Sequence, residues 1–363
     1  MDEATEERAG VYPRLLIDTD KIRENAKTIT ALCARHGVHV CGVTKVAGGD
    51  ARIAQALVDG GVEMLGDSRL QDLERLQDID CPKMLIRAPQ LSDVNDTVRL
   101  ADISVNTELA TLEALEAACT RTGTDRHGIM LMADLGDLRE GFVDEDELLE
   151  AAAFVEGSTH LYLHGVGANL NCLSFILPDA EKMEQLAALG AHLEERCGHA
   201  IEVSGGNSTN LHLLMTEGMP HGVNALRLGE ALLFGRERAT YTYLPGTYND
   251  AFILQTTIVE LKDKPSKPWG TAGTDSYGNY HSFPDRGVRR RAIVAFGHQD
   301  SEAEVMWPVD DGIEIVDSSS DHTVLDLTDA HRHYEVGDVV EFRCGYHAVA
   351  RSFISPYVEK VFV

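Results

Sequence analysis

Lys45 ends an apolar run, His39-Val40-Cys41-Gly42-Val43-Thr44-Lys45, and the chain breaks soon after it at Gly48-Gly49. A lysine closing a core strand needs a partner or a purpose, because an ammonium is costly to take out of water. One reading is a salt bridge. The other is an amine whose pKa falls on desolvation, giving the neutral form that condenses with an aldehyde. Much further on, Ser204-Gly205-Gly206-Asn207-Ser208 leads into a helix-like segment over 209–217. Small residues with unpaired backbone N–H groups at a helix start suit an anion such as a monoester phosphate. Arg139 lies in the polar run Asp134-Leu135-Gly136-Asp137-Leu138-Arg139-Glu140-Gly141, Asn169 follows an apolar run, and Arg227 sits in Leu226-Arg227-Leu228-Gly229. Singly, Gly205-Gly206 reads as a turn, Arg227 as a salt-bridge partner and Asn169 as a cap. Together they offer an amine, an anion cradle and two guanidinium groups.

These residues need a scaffold that brings distant segments to one place. A short strand over 15–18 precedes a helix that Thr19 or Asp20 can cap, with Ile22, Ala26, Ile29 and Cys33 on one face and Gly37 at its end. Apolar runs then recur at 39–45, 64–68, 83–87, 102–106, 128–134, 161–169, 201–206 and 225–229. Helix-like segments follow each of the first seven, for example 51–59, 107–121 and 144–155, the last opening on an acid-rich turn. Eight strands alternating with helices predict a (β/α)8 barrel, with a doubly wound sheet as the competitor. No G-x-G-x-x-G follows the first strand, which favours the barrel. Barrel enzymes collect their chemistry at the carboxyl ends of the strands. Lys45, 67–69, 134–141, Asn169 with Asn171, 204–208 and Arg227 all fall there.

Past Gly235 the helical spacing stops. Alternating runs at 251–261, 292–296, 312–316, 323–327 and 339–343, separated by Gly, Pro, Asp and Ser clusters, predict a mostly-β domain with a long loop over 262–289. The expected division is a barrel over 12–240 and a C-terminal β-domain over 241–363.

With 59 acidic against 32 basic residues the net charge is −27, which repels nucleic-acid phosphates and anionic membranes and excludes both as partners. The seven cysteines include no C-x-x-C pair and sit mostly in apolar runs, so reduced thiols are expected, with no metal site. No apolar leader opens the sequence and no run of about 18 apolar residues occurs, so a cytoplasmic protein is expected.

An amine on one strand and a phosphate cradle on a distant one match pyridoxal 5′-phosphate, which carries an aldehyde at one end and a phosphate at the other. Here the chain resembles the fold-type III pyridoxal-phosphate enzymes: alanine racemase and, more closely, the ornithine racemase group. The resemblance runs from Pro13 to Val363 and rests on Gly42-Val43-Thr44-Lys45-Val46 and on 226–235, Leu-Arg-Leu-Gly-Glu-Ala-Leu-Leu-Phe-Gly. It implies that Lys45 holds the cofactor aldehyde, that Arg227 faces the ring nitrogen, and that Ser204, Gly206, Asn207 and Ser208 surround the phosphate. It also implies that Arg139 lies near the phenolic oxygen and the substrate carboxylate, with Asn169 where alanine racemase has a histidine beside the ring. An arginine opposite the nitrogen cannot surrender its proton, so the ring is a weaker electron sink and prompt return of a proton to the α-carbon is favoured. Racemisation is the reaction this suggests.

Racemisation needs a base on each face. Lys45 serves one. The family's second base is a tyrosine of a Gly-Tyr-x-Asp-Gly motif supplied by the partner of a homodimer; here the stretch reads Phe296-Gly297-His298-Gln299-Asp300-Ser301, which puts a histidine in its place. Histidine is a competent acid/base. Ser320 of Ser320-Asp321-His322-Thr323 replaces the methionine of a Met-Asp-Gln-Thr segment that helps bind the substrate carboxylate. The expected substrate is an amino acid, ornithine or another diamino acid, whose distal ammonium Asp137, Glu140 or Asp300 could accept. An alanine or broad-specificity racemase and a non-catalytic pyridoxal-phosphate carrier are the alternatives; the β-domain counts against the carrier. A decarboxylase is disfavoured because no Cys-Asp-Gly-like segment occurs near the C-terminus, and the metal-binding His/Cys pair of D-threonine aldolase relatives is not evident.

Overall fold

The computed structural model describes residues 10–363 apart from 272, 275–277, 279 and 281. The first strand, β1 (Arg14–Ile17), is followed by α1 (Thr19–Ala34). Asp18, not Thr19 or Asp20, caps that helix, its Oδ1 accepting from the Lys21 N–H at 3.0 Å. The barrel strands are β2 (His39–Val43), β3 (Met64–Asp67), β4 (Lys83–Leu85), β5 (Ile103–Asn106), β6 (His127–Ala133), β7 (Leu161–Ala168), β8 (Glu202–Ser204) and β9 (Ala225–Leu228). They alternate with α2 (Ala51–Asp59), α3 (Leu70–Arg75), α4 (Val94–Leu100), α5 (Leu109–Thr122), α6 (Glu145–Gly157), α7 (Ala180–Cys197), α8 (Asn210–Thr216) and α9 (Glu230–Phe234). All eight strands are parallel, and β9 pairs back onto β2 with Cys41 opposite Arg227, closing the ring.

The strands were legible because a parallel strand buried on both faces reads as an unbroken apolar run; every residue of β6 is buried. Met84, Ile103, Val105, Met130 and Met132 pack into one cluster. Ile129, Leu131, Val166 and Val203 pack with Leu112, Leu148 and Leu186 of the helices on the opposite strand face. Asp144 caps α6, as its acid-rich start suggested, accepting from the Asp146 N–H at 2.8 Å.

The second unit holds β10 (Phe252–Pro265), β11 (Val288–Val294), β12 (Met306–Pro308), β13 (Glu314–Ser318), β14 (Thr323–Asp326), β15 (Val339–Cys344), α10 (Tyr346–Ile354) and β16 (Glu359–Phe362). The sheet order is β12-β15-β10-β11-β14-β13, and β1 is inserted between β10 and β16. Phe296 and Phe342 meet edge to face at 5.6 Å in its core.

The division expected at 240/241 is corrected. The compact units are Asp18–Ala251 and, separately, residues 10–17 with Phe252–Val363. A closed ring has no free edge for another strand, so β1 finds its partners about 240 residues and more away, antiparallel to β10 and parallel to β16. Residues 241–251 stay with the barrel. The buried Asn25 amide donates to the Tyr248 carbonyl at 2.9 Å and accepts its N–H at 2.6 Å, while Lys21 pairs with Asp250 at 2.8 Å. The loop expected over 262–289 is shortened by pairing at both ends, Pro265 lying opposite Val288; its positions 272, 275–277, 279 and 281 lie outside the described residues, as do residues 1–9. The helix α10 and the short strands β12 and β16 were not anticipated. None of the seven cysteines is paired.

Candidate active site

Arg227 stands on β9 and is buried, in line with its place on a strand closed on both sides. Its Nη2 donates to the Ala168 carbonyl at 2.7 Å and to Asn169 Oδ1 at 3.0 Å, and its Nη1 donates to Ser204 Oγ. A side chain at Gly167 would collide with it, since a Cβ there would lie 2.9 Å from Nη1. Burial lowers the Arg227 pKa, yet a guanidinium keeps its charge at any ordinary pH. Its Nε makes no hydrogen bond among the described residues, which leaves one N–H to offer.

Asn169 extends the network. While its Oδ1 accepts from Arg227, its Nδ2 donates to Glu140 Oε1, and Glu140 is gripped through both carboxylate oxygens by the Arg139 guanidinium. Arg139, Glu140, Asn169, Arg227 and Ser204 thus form one connected chain across the ends of β6, β7, β8 and β9. Ser204 and Asn169 fix the guanidinium. The bridging place of Glu140 was not anticipated; the only hint was opposite charges at adjacent loop positions.

Lys45 follows β2 and is exposed in this chain, its side chain making no hydrogen bond or ion pair among the described residues. The protein crowded around its amine lowers its pKa, with the Arg139 guanidinium pushing the same way and the Glu140 carboxylate opposing it. Beneath it the buried Thr44 hydroxyl donates to Asp67 Oδ2 at 2.7 Å. Asp67 is fully buried at the end of β3, and desolvation pushes its carboxyl up to about 7.

The loop after β8 is built around Gly206, whose φ of +124° disfavours any side chain. A Cβ there would also lie 2.9 Å from Asn210 Nδ2. Asn207 is spent on structure: its Nδ2 donates to the Leu170 carbonyl at 2.8 Å and its Oδ1 accepts the Thr209 N–H at 2.9 Å. Ser208 Oγ accepts the Ala231 N–H at 3.1 Å, joining this loop to the first turn of α9 and leaving the hydroxyl proton available to an acceptor.

Asp137 is 1% exposed and wholly occupied. Its Oδ2 accepts the N–H groups of Cys172 at 3.0 Å and Leu173 at 2.8 Å, and its Oδ1 that of Ser174 at 3.2 Å. It is therefore the anchor of the loop after β7, not an acceptor for a ligand.

In the sheet unit, the turns at 296–301 and 318–322 lie back to back. A Cβ on Gly297 would come within 2.4 Å of the Ser319 carbonyl, and the N–H groups of His298 and Gln299 donate to Ser319 and Ser320 carbonyls at 2.8 and 2.9 Å. His298 and Ser320 are thereby brought onto adjoining turns. The His298 ring is half-buried, 3.7 Å from Glu304, and its carbonyl accepts from Arg351 Nη1 at 2.5 Å. Asp300 corrects the expectation of a substrate contact: it is buried, accepting the Gly297 N–H at 3.2 Å and the Ser355 hydroxyl at 3.3 Å, so its carboxylate closes the turn.

The sequence model described as "Alanine racemase, N-terminal domain" matches residues 17–237. The chain is 39% identical to an ornithine racemase of Acetoanaerobium sticklandii over 351 residues, 96% of this chain and 99% of that protein. It is 38% identical to a lysine racemase of Thermotoga maritima over 355 residues, 97% and 99% of the two chains. In fold it is similar to the alanine racemase of Bartonella henselae solved with covalently bound pyridoxal phosphate, with a TM-score of 0.71, 15% identity and coverage of 98% of this chain and 100% of that one. Among the described residues no helix is long and apolar enough to cross a membrane. A closed eight-stranded ring whose sequence matches the family model over most of its length, with relatives of nearly 40% identity along almost the whole chain, identifies this protein as a member of the alanine racemase family.

Proposed function

We propose that this chain is a pyridoxal-phosphate-dependent racemase of basic amino acids, with ornithine and lysine as its substrates, working as a homodimer. Full-length similarity to an ornithine racemase and a lysine racemase supports the substrate class. The observation that carries the cofactor is the pairing of an unpartnered amine of lowered pKa, Lys45, with a guanidinium pinned on both Nη atoms and open at Nε, Arg227. The loop at Gly206, which has no room for a Cβ, and the Ser208 hydroxyl suit a phosphate. When bound, pyridoxal phosphate supplies an aldehyde that takes the substrate amino group and a ring that spreads the electrons left at the α-carbon.

The residues then divide the work. Lys45 Nζ moves the α-proton on one face, and its lowered pKa keeps a larger neutral fraction ready to accept it. Arg227 would offer its Nε–H to a ring nitrogen without giving up the proton, which would keep the α-carbon the preferred site of protonation. Arg139 grips Glu140 through Nε and Nη2 and keeps its Nη1 donors for a carboxylate or phenolic oxygen. Of the three carboxylates considered for the distal ammonium, Asp137 and Asp300 are consumed by backbone and hydroxyl donors, whereas Glu140 is held only by the side chains of Arg139 and Asn169, so it is assigned that role, with a distal ammonium sharing it with the Arg139 guanidinium. The second base is His298, from a second copy of the chain, on a turn braced by Ser319 and Arg351.

The test is exchange of the α-proton with deuterated solvent for L- and D-ornithine, lysine and alanine. Ornithine and lysine are expected to exchange and racemise well ahead of alanine; exchange of alanine alone would overturn the substrate class, and no exchange with any of them would overturn racemisation. His298→Ala should slow exchange from one enantiomer more than the other, and equal mild effects would remove it from the mechanism. Mixed Lys45→Ala and His298→Ala chains should recover activity in a hybrid dimer; failure would end the shared-site reading.

A further inference from the structure

On the outside of the barrel, at the end opposite Lys45, the last turns of α6 and α7 converge. Glu156, Cys197 and His199 meet there, with one ligand atom of each within 4.8 Å of the others. We propose that these three residues form a structural binding site for a borderline divalent cation of the zinc class, clipping α6 to α7. The sequence hides it, because Cys197-Gly198-His199 is no familiar ligand spacing and the carboxylate lies some forty positions away.

Four features carry the assignment. The donor set of thiolate, imidazole and carboxylate is one that zinc favours, and a fourth position stays open for water. One pair already has the spacing, since His199 Nε2 lies 3.6 Å from Glu156 Oε1 and bonds of about 2.0–2.3 Å to a tetrahedral ion put ligand atoms roughly 3.3–3.8 Å apart, while the Cys197 sulfur, within 4.8 Å of both, closes in on binding. Outer partners aim two of the ligands: His199 Nδ1 lies 3.1 Å from the Ala200 carbonyl, an acceptor that favours the tautomer protonated at Nδ1 with the Nε2 lone pair toward Glu156, while Glu156 Oε1 also accepts the Leu163 N–H at 3.3 Å. In that tautomer two lone-pair atoms face each other with no proton between them, an arrangement a cation resolves. Finally, α6 ends at Gly157 and α7 at Cys197, so the negative ends of two helix dipoles point at the same spot. Gly198, at φ +75°, turns the chain so that His199 comes back beside Cys197. The side chains of Glu156 and His199 are 33% and 44% exposed, which gives an ion an entry path.

The holoenzyme, stripped with chelator, is titrated with Co2+ and, in parallel dialysis, with Zn2+. One equivalent per chain should bind, with a thiolate-to-cobalt charge-transfer band in the difference spectrum. Cys197→Ser and His199→Ala should abolish the band and the equivalent, and Glu156→Gln should weaken binding about tenfold or more. Zn2+ should raise the melting temperature of the parent chain and not that of Cys197→Ser, while racemase turnover, measured on every variant as the check on folding, stays unchanged. Absence of a stoichiometric site in the parent, or a band that survives Cys197→Ser, would overturn the proposal and leave His199 and Glu156 as a plain ion pair.

Discussion

Replacing Asp137 with asparagine separates an anchoring carboxylate from a substrate-binding one. The native carboxylate takes three backbone N–H groups, two on Oδ2 and one on Oδ1. An amide has one oxygen, so in its better orientation it keeps the Cys172 and Leu173 bonds without charge assistance and turns an NH2 group onto the Ser174 N–H. A hydrogen bond to a charged group contributes about 1.5–3 kcal/mol, and a buried N–H left without a partner costs a similar amount, so Asp137→Asn should destabilise this loop by about 2–4 kcal/mol. Urea unfolding and hydrogen exchange at the Cys172, Leu173 and Ser174 amides read that loss. Because the same loop is tied to Asn207 through the Leu170 carbonyl, kcat/KM should fall together for ornithine, lysine and alanine. Glu140→Gln is the contrast: under the proposed assignment it removes the charge offered to a distal ammonium and should cost about 1.5–3 kcal/mol, roughly ten- to a hundredfold in kcat/KM, for ornithine and lysine, with a smaller loss for alanine that reports the weakened Arg139 pairing. An Asp137→Asn enzyme with unchanged amide exchange and stability, and with KM raised only for the basic substrates, would refute the reasoning.

Three further outcomes rest on the same geometry. Because the Lys45 pKa lies below the ordinary 10.5, capture of pyridoxal phosphate by the cofactor-free chain should accelerate with pH about a midpoint below that value, and Arg139→Gln, which removes a cation that lowers it, should move the midpoint upward; stopped-flow absorbance measures both. Asp67 has its carboxyl raised from 3.8 to about 7, so the native state holds a proton that the unfolded chain releases. Stability should fall as pH rises from about 4 to 7 and level off above, a slope that Asp67→Asn should erase in urea titrations at stepped pH. Gly206→Ala forces a side chain into positive φ against Asn210 and should cost about 1–3 kcal/mol of stability together with cofactor affinity, seen by calorimetry and by phosphate-dependent rebinding.

How much a sequence discloses depends on how local the determining physics is. The barrel strands are legible because burial on both faces writes itself into consecutive residues, as in β6. The strand β1 was seen, but its place was not: a four-residue segment with alternating burial carries no mark of a partner strand about 240 positions on. The helix α10 is nine residues long and sits among strands, where neighbouring alternation masks it. In the site, Lys45 and Arg227 stood out because a cation at the end of an apolar strand is costly. Glu140 and Asp137 did not, since one loop carboxylate looks like another until the donors around it are known. Asp300 was misread for the same reason, as nothing in a turn sequence tells an outward acid from one folded back on its own N–H.

The insertion of β1 between β10 and β16 sets an order of events during synthesis. The ring formed by residues 18–251 contains every strand it needs and can close while the ribosome is still decoding residues 252–363, whereas residues 14–17, translated long before, must wait for 359–362 before both of their flanks are covered. This strand is thus secured late, and until residues 359–362 emerge the edge that faces them stays open to any passing strand.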